Sequence, residues 1–126
     1  MAEAPRVLVV DDDPAMLRLL QVNFRLDGFE VQTASRGDDA VVQAIASPPD
    51  ALVLDVMMPG LDGYQVGARL REEPGFADIP IVFLTARVME EDRAKGEAIG
   101  GVDYLTKPFD PVELLATVRS RLAERG

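Results

Sequence analysis

Hydrophobic and polar positions alternate along the chain in blocks of two kinds. Short runs rich in Val, Ile and Leu are separated by longer stretches in which apolar residues recur every three or four positions. The runs are typical of buried strands in a parallel sheet, and the stretches are typical of amphipathic helices. The pattern predicts five strands, at about residues 6–10, 29–34, 51–55, 80–84 and 102–105.

Helices are predicted between these strands. The first follows the cap residue Asp13 with Pro14 in its first turn and ends at Asp27–Gly28. The others cover about 37–46, from the loop 58–63 to about 73, about 89–99, and from Asp110 onward. The residues expected to face the core are Leu17, Leu20 and Phe24 in the first helix, Val41, Ala44 and Ile45 in the second, Val66 and Leu70 in the third, Ala94, Ala98 and Ile99 in the fourth, and Leu114, Leu115, Val118 and Leu122 in the fifth.

Five strand–helix units in a row predict an α/β fold, a three-layer sandwich with helices on both faces of a parallel sheet. The fourth helix is the weakest, because Gly96 inside it costs about 1 kcal/mol relative to Ala. We expect it to be loosely held. The length of 126 residues suits a single domain over 1–126, with its core at about 6–122.

The charge of the chain restricts its partners. The net charge is −9, which argues against direct nucleic acid binding, since phosphate contacts need clustered Lys and Arg. The sequence has no 18-residue apolar stretch and no signal-peptide pattern, so we expect no membrane span and a cytoplasmic location.

Two residue types are missing altogether. The chain has no His, which excludes His-based triads and His-ligated zinc, and no Cys, which excludes thiolate nucleophiles and disulfides. Carboxylates, hydroxyls and amines remain as catalytic groups. A metal site would be lined by oxygen, which favours Mg²⁺, Mn²⁺ or Ca²⁺.

Chemically capable residues follow four of the predicted strands. The first strand ends on Asp11–Asp13, the third on Asp55, the fourth on Thr85 and the fifth on Lys107. Because ligands bind beyond the carboxyl ends of parallel strands, these side chains are expected to share one pocket. Such a pocket suits a divalent cation and a phosphoryl group.

These motifs together resemble the receiver domain of two-component response regulators. The resemblance rests on the acidic cluster and on the segments 54–63, 84–87 and 104–109, and it covers about 6 to 122. It implies a flavodoxin-like fold with five parallel strands in the order 2-1-3-4-5. The segment 84–115 is most similar to receivers of the winged-helix transcription-factor subfamily.

The resemblance implies a phospho-acceptor and a metal site. Asp55 looks like the acceptor, and Asp12 and Asp55 look like direct ligands of Mg²⁺ or Mn²⁺. Asp11 would hold a metal-bound water, and the backbone carbonyl of Met57 would be the third protein ligand. A Mg²⁺ ion and one lysine would balance the charge of the three aspartates.

Further roles are implied around the acceptor. Thr85 and Lys107 would bind phosphoryl oxygens, and Tyr104 would change position on activation. The residues that influence the lifetime of the acyl phosphate would be Met57 and Arg87. Neither carries a carboxylate or amide that could orient water, so we expect slow autodephosphorylation. The Lys107–Pro108 peptide is expected to be cis.

The implied partners are a sensor histidine kinase or a histidine phosphotransfer protein, and a downstream effector or output domain. Receivers of this subfamily pair through helix 4, strand 5 and helix 5. Arg93 and Glu113 match one interface pair, whereas Val102 and Thr117 replace the usual Asp and Arg. A homodimer through this face is therefore expected to be absent, weak or built differently.

Two alternatives stay open. A small haloacid-dehalogenase-type phosphohydrolase would use an Asp after the first strand, and Asp11–Asp13 has that spacing. The length of 126 residues leaves little room for its cap, and Asp55 would be unexplained. A receiver that binds partners without phosphorylation is the other alternative, and the complete set of site residues argues against it.

Overall fold

Strands and helices alternate regularly through the chain. The computed structural model describes residues 4–86 and 90–125. The strands are β1 (Arg6–Val10), β2 (Glu30–Ala34), β3 (Ala51–Asp55), β4 (Ile81–Thr85) and β5 (Val102–Thr106). The helices are α1 (Pro14–Leu26), α2 (Gly37–Ala46), α3 (Gly63–Arg71), α4 (Glu90–Ile99) and α5 (Pro111–Arg125).

The five strands form one parallel sheet in the order β2-β1-β3-β4-β5, which confirms the expected topology. Side chains of the central strands alternate between two apolar clusters. Leu8 and Val10 pack towards α2, α3 and α4, whereas Val7 and Val9 pack towards α1 and α5. The architecture is the three-layer sandwich predicted from the sequence.

Two details of α2 and α3 differ from the sequence prediction. In α2, Ile45 is 40% exposed and Ala40 is buried in its place beside Ala44. Helix α3 ends at Arg71 rather than near residue 73. The N–H of Glu73 donates to the carbonyl of Leu70, a three-residue spacing that closes a turn and ends the α-helix.

The edge of the sheet at β5 also differs from expectation. Residues 102–105 are half-buried rather than buried, because only one neighbouring strand covers them. Ala94 and Ala98 of α4 are exposed, and the helix instead buries Gly96 against the side chain of Tyr104. A Cβ at Gly96 would overlap the Tyr104 hydroxyl, so α4 approaches β5 closely at this glycine.

The guanidinium group of Arg71 fixes the C-terminal end of α4. Arg71 donates hydrogen bonds to the backbone carbonyls of Phe76 at 2.7 Å, Ile79 at 2.6 Å and Gly100 at 2.8 Å. One side chain thus joins the end of α3, the entrance to β4 and the turn after α4. Within the described ranges, no helix combines the length and apolar character needed to cross a membrane.

Candidate functional site

Three aspartates meet at the carboxyl edge of the sheet. Asp11 follows β1 and Asp55 ends β3, and these strands are neighbours in which Val10 pairs with Leu54. Asp11 is fully buried, Asp55 is 4% exposed, and Asp12 is exposed. One carboxylate oxygen from each lies within 4.8 Å of the others. Parallel pairing therefore brings together acids that are 44 residues apart in the chain.

A lysine bridges the two buried carboxylates. The ammonium of Lys107 lies 3.2 Å from Asp11 Oδ2 and 3.3 Å from Asp55 Oδ1. Its backbone N–H donates to the carbonyl of Thr85 at 2.7 Å, which fixes the start of the loop after β5 against β4. The Lys107–Pro108 peptide is cis, as expected.

Backbone donors hold both carboxylates in place. The N–H of Asp13 donates to Asp11 Oδ1 at 2.9 Å, and the N–H of Met57 donates to Asp55 Oδ1 at 3.3 Å. Both oxygens of Asp11 are therefore engaged. In the portion of the chain that the structure describes, Asp55 Oδ2 accepts no hydrogen bond and remains for an incoming group.

The loop after β3 is fixed by features that the sequence reasoning missed. A Cβ added at Gly63 would overlap the backbone carbonyl of Asp55, so only glycine allows α3 to begin this close to β3. Asp62 and Gln65 form a reciprocal capping box with two 2.9 Å hydrogen bonds. Their spacing, Asp-x-x-Gln, is the signal that could have predicted it. Met57, between this cap and the acids, is 73% exposed.

The electrostatics of the site are unbalanced. Burial raises the pKa of Asp55 to about 6, the charge of Asp11 adds to the rise, and Lys107 only partly opposes it. Burial alone would lower the pKa of Lys107, but Asp11 and Asp55 outweigh it and raise that pKa. The ammonium is thus firmly protonated, and the three carboxylates still exceed its charge.

This donor set fits a hard divalent cation. Its ligand atoms are carboxylate oxygens, and Mg²⁺ prefers such oxygens, usually one or two of them together with water. Burial is the main cause of the raised pKa of Asp55, and the negative charge of Asp11 adds to it, so like charges repel within this cluster. An added charge of +2 would relieve that repulsion.

Thr85 and Tyr104 take different positions relative to the acids. Thr85, 4% exposed, ends β4 one residue beyond Leu84, the partner of Asp55 in the β3–β4 register. Tyr104 lies further back on β5 and is half-buried, with its ring centroid 5.6 Å from that of Phe83. Its hydroxyl donates to the backbone carbonyl of Asp92 in α4 at 2.8 Å. The predicted lifetime residue Arg87 lies outside the described residues.

A doubly wound five-stranded sheet with an acidic cluster at its carboxyl edge defines the class of CheY-like α/β domains. The sequence model of the response regulator receiver domain family matches residues 7–119, and the chain belongs to this family. Among solved structures, the chemotaxis protein CheY4 of Vibrio cholerae superposes with a TM-score of 0.88 at 32% identity, covering 94% of this chain and 98% of that one. The Francisella response regulator 1452 receiver domain gives 0.87 at 32%, covering 97% and 99%.

Curated relatives are longer proteins. The DNA-binding dual master transcriptional regulator RpaA of Synechocystis is 44% identical over 118 residues, which are 94% of this chain and 49% of RpaA. The phosphate regulon transcriptional regulatory protein PhoB of Rhizobium meliloti is 43% identical over 118 residues, 94% of this chain and 52% of PhoB. The chain thus spans about half the length of these relatives. They confirm the resemblance to receivers of the winged-helix subfamily.

Proposed function

We propose that this chain is a phosphorylation-activated signalling switch that accepts a phosphoryl group on Asp55 from a phospho-histidine. The donor would be a sensor kinase or a histidine phosphotransfer protein. The observation that carries the proposal is the ammonium of Lys107, which lies 3.2 Å from Asp11 and 3.3 Å from Asp55. Phosphoryl transfer depends mainly on positioning and charge neutralisation, and this arrangement is suited to both.

The transfer step can be written with the residues of the site. One oxygen of the Asp55 carboxylate forms the new P–O bond while the P–N bond of the phospho-histidine breaks, and the electron pair of that bond stays on the imidazole nitrogen. Lys107 and the hydroxyl of Thr85 donate hydrogen bonds to the phosphoryl oxygens. The N–H of Met57, 3.3 Å from Asp55 Oδ1, orients the attacking carboxylate.

Mg²⁺ or Mn²⁺ would be the cofactor. Asp12 and Asp55 would be direct ligands, Asp11 would act through a bound water, and the carbonyl of Met57 would complete the protein ligands. The cation would neutralise charge on the phosphoryl oxygens during transfer. Support comes from the oxygen-only donor set within 4.8 Å and from the raised pKa of Asp55.

The switch would run from Thr85 to Tyr104. A phosphoryl oxygen on Asp55 recruits the hydroxyl of Thr85 through a charge-assisted hydrogen bond, which moves the loop after β4. Tyr104 follows into the space that opens. Helix α4 then changes its position against β5, and the face formed by α4, β5 and α5 presents a different surface to its partner.

The lifetime of the acyl phosphate would depend on Met57 and Arg87. The side chain of Met57 is 73% exposed beside the acceptor, where its thioether can shield phosphorus from water. Neither residue can act as a base. The proposal is therefore slow autodephosphorylation, with the chain catalysing its own modification rather than the turnover of a separate substrate.

The output partner would be an effector or an output domain. Because the relative RpaA is named as a DNA-binding regulator, a transcriptional output is the favoured partner, and nucleic acid would be bound by that partner rather than by this acidic chain. Partners of this kind imply a cytoplasmic location.

Pairing of two copies through α4, β5 and α5 would be weak. Arg121 donates to both carboxylate oxygens of Asp103 at 2.7 Å within one chain, so this acid on β5 already has a partner. Val102 and Thr117 add no charge to the same face. A sizing column run with and without a phosphoryl mimic tests this, and a phosphorylation-dependent dimer would contradict it.

The phosphohydrolase alternative requires a nucleophile after β1. Asp11 is the buried acid there, and both of its oxygens are engaged by Lys107 and by the N–H of Asp13. Asp55 has the freer oxygen. Turnover of a generic phosphomonoester would favour the enzyme, whereas single labelling of Asp55 favours the switch.

Intact mass spectrometry after incubation with acetyl phosphate and Mg²⁺ tests the proposal. We expect one added phosphoryl group in the wild type, none in Asp55→Asn, and normal labelling in the control Asp39→Asn, an exposed acid on α2. Labelling that persists in Asp55→Asn would refute Asp55 as acceptor. A wild type without labelling would support a receiver that binds partners unphosphorylated.

A further inference from the structure

The buried hydroxyl of Tyr64 has no role in the site described above. Tyr64, in the first turn of α3, is 5% exposed, and its hydroxyl oxygen has no hydrogen-bond partner among residues 4–86 and 90–125. Buried tyrosine hydroxyls are usually paired, because an unpaired buried donor costs stability. The orphan hydroxyl points to a second arrangement of its surroundings in which it is paired.

The surroundings of Tyr64 are the elements expected to switch. Its ring centroid lies 4.8 Å from that of Phe83 and 6.4 Å from that of Tyr104, and Lys95 of α4 lies 5.3 Å above it. Burial raises the pKa of Tyr64, and the neighbouring Tyr104 hydroxyl and the charge of Asp92 raise it further. The Tyr64 hydroxyl therefore stays protonated and is available as a donor.

A hydrogen-bond acceptor on α4 is already used by the neighbouring tyrosine. The hydroxyl of Tyr104 donates to the carbonyl of Asp92 at 2.8 Å. This contact needs Gly96, because a Cβ there would overlap the Tyr104 hydroxyl. A backbone carbonyl has two lone pairs, one for the helix and one for a side-chain donor. The ring of Tyr64 lies 6.4 Å from the ring of the tyrosine that makes this bond, and its own hydroxyl has no partner among the described residues.

We propose that Tyr64 is a positioning residue that donates to the Asp92 carbonyl when Tyr104 leaves it, so that α4 stays hydrogen-bonded in both states. The inference rests on the proposed function, since phosphorylation of Asp55 is what displaces Tyr104. Exchange of one tyrosine donor for the other offsets the loss of the Tyr104 hydrogen bond. In the unmodified state the space above Gly96 accommodates the Tyr104 hydroxyl. The unpaired hydroxyl of Tyr64 is the donor that replaces it after phosphorylation.

The chain contains two tyrosines, which makes a direct test possible. Labelling with 3-fluorotyrosine gives two ¹⁹F signals, assigned with Tyr64→Phe and Tyr104→Phe. Addition of beryllofluoride and Mg²⁺, a mimic of the phosphoryl group, is expected to shift both signals. An unmoved Tyr64 signal beside a shifted Tyr104 signal would overturn the inference.

Hydrogen exchange of the α4 amides separates this role from a merely structural one. Tyr64→Phe should speed exchange roughly fivefold in the beryllofluoride-treated protein and leave the untreated protein unchanged, the size expected for one lost hydrogen bond. The matched variant Tyr104→Phe should do the reverse. Equal effects of Tyr64→Phe in both states, or none, would overturn the inference.

Intact mass of the untreated protein after incubation with acetyl phosphate and Mg²⁺ distinguishes the two proposals. If acetyl phosphate fails to label wild-type Asp55, the proposed function fails and takes this inference with it. If Asp55 is labelled but the Tyr64 signal or the α4 exchange fails to respond as stated, only the inference is overturned. Labelling together with the opposite responses of the two Phe variants supports both.

Discussion

Replacement of Asp55 by asparagine is expected to stabilise the metal-free protein at neutral pH. Asp55 is 4% exposed, and its burial, with the charge of Asp11, raises its pKa from 3.8 to about 6. Because the pKa of Asp55 is higher in the folded chain than in the unfolded chain, ionisation of this carboxyl opposes folding. The free energy of unfolding therefore falls as pH rises from 3.8 to about 6, and the loss persists above that range.

The magnitude follows from the pKa difference. At about 1.4 kcal/mol for each pKa unit, ionisation of Asp55 costs about 3 kcal/mol at pH 7.5, about 1.6 kcal/mol at pH 5 and about 0.5 kcal/mol at pH 4. Asparagine cannot ionise, and its amide oxygen can still accept from Lys107. Asp55→Asn should recover these amounts at each pH.

Urea unfolding followed by far-UV circular dichroism, in a chelator, measures the effect at about pH 5 and about pH 7.5. Asp12→Asn is the matched control, because Asp12 belongs to the same cluster but is exposed, and we expect a change within about 0.5 kcal/mol. An Asp55→Asn variant no more stable than the wild type at the higher pH would refute the reasoning. So would a gain that does not grow with pH.

Four other outcomes are expected. Met57→Asn should shorten the lifetime of phosphorylated protein several-fold in an intact-mass time course, because its amide can orient water; no acceleration would remove the shielding role. Lys107→Met should slow labelling by acetyl phosphate about a hundredfold, since a donor to the phosphoryl oxygens is lost. Mg²⁺ affinity, measured by calorimetry, should fall about tenfold from pH 7.5 to pH 5, because protons compete for Asp55 with its pKa of about 6. Gly63→Ala should lower the free energy of unfolding by about 1–3 kcal/mol in urea titrations, because the added Cβ overlaps the Asp55 carbonyl.

The strands and the convergence of the acids could be predicted because both depend on local signals. Each strand is a short apolar run that ends in a polar residue, and parallel pairing then brings the ends to one edge. Val10 pairs with Leu54, so the residues that follow them, Asp11 and Asp55, lie side by side. Most element boundaries were accordingly right to within one residue.

Contacts between elements distant in sequence could not be predicted in this way. The apolar pattern of α4 favours Ala94 and Ala98 as its inner face, yet both are exposed. The helix is instead positioned by the Tyr104 ring at Gly96 and by the bonds of Arg71 to carbonyls of other segments. Helix propensity treats Gly96 only as a residue that destabilises the helix. The reason for a glycine at this position is the Tyr104 side chain on β5, which propensity does not take into account.

Strand β4 connects the chemistry of the site with the aromatic cluster beneath α4. Phe83 and Thr85 are two residues apart on this strand, so their side chains point to the same face of the sheet. Phe83 contacts the rings of both Tyr64 and Tyr104, at centroid distances of 4.8 and 5.6 Å. A shift of Thr85 at the acidic edge of the sheet therefore moves the end of the strand that carries Phe83 and supports these rings. This two-residue spacing gives a physical reason why a change of charge at Asp55 would affect the position of α4.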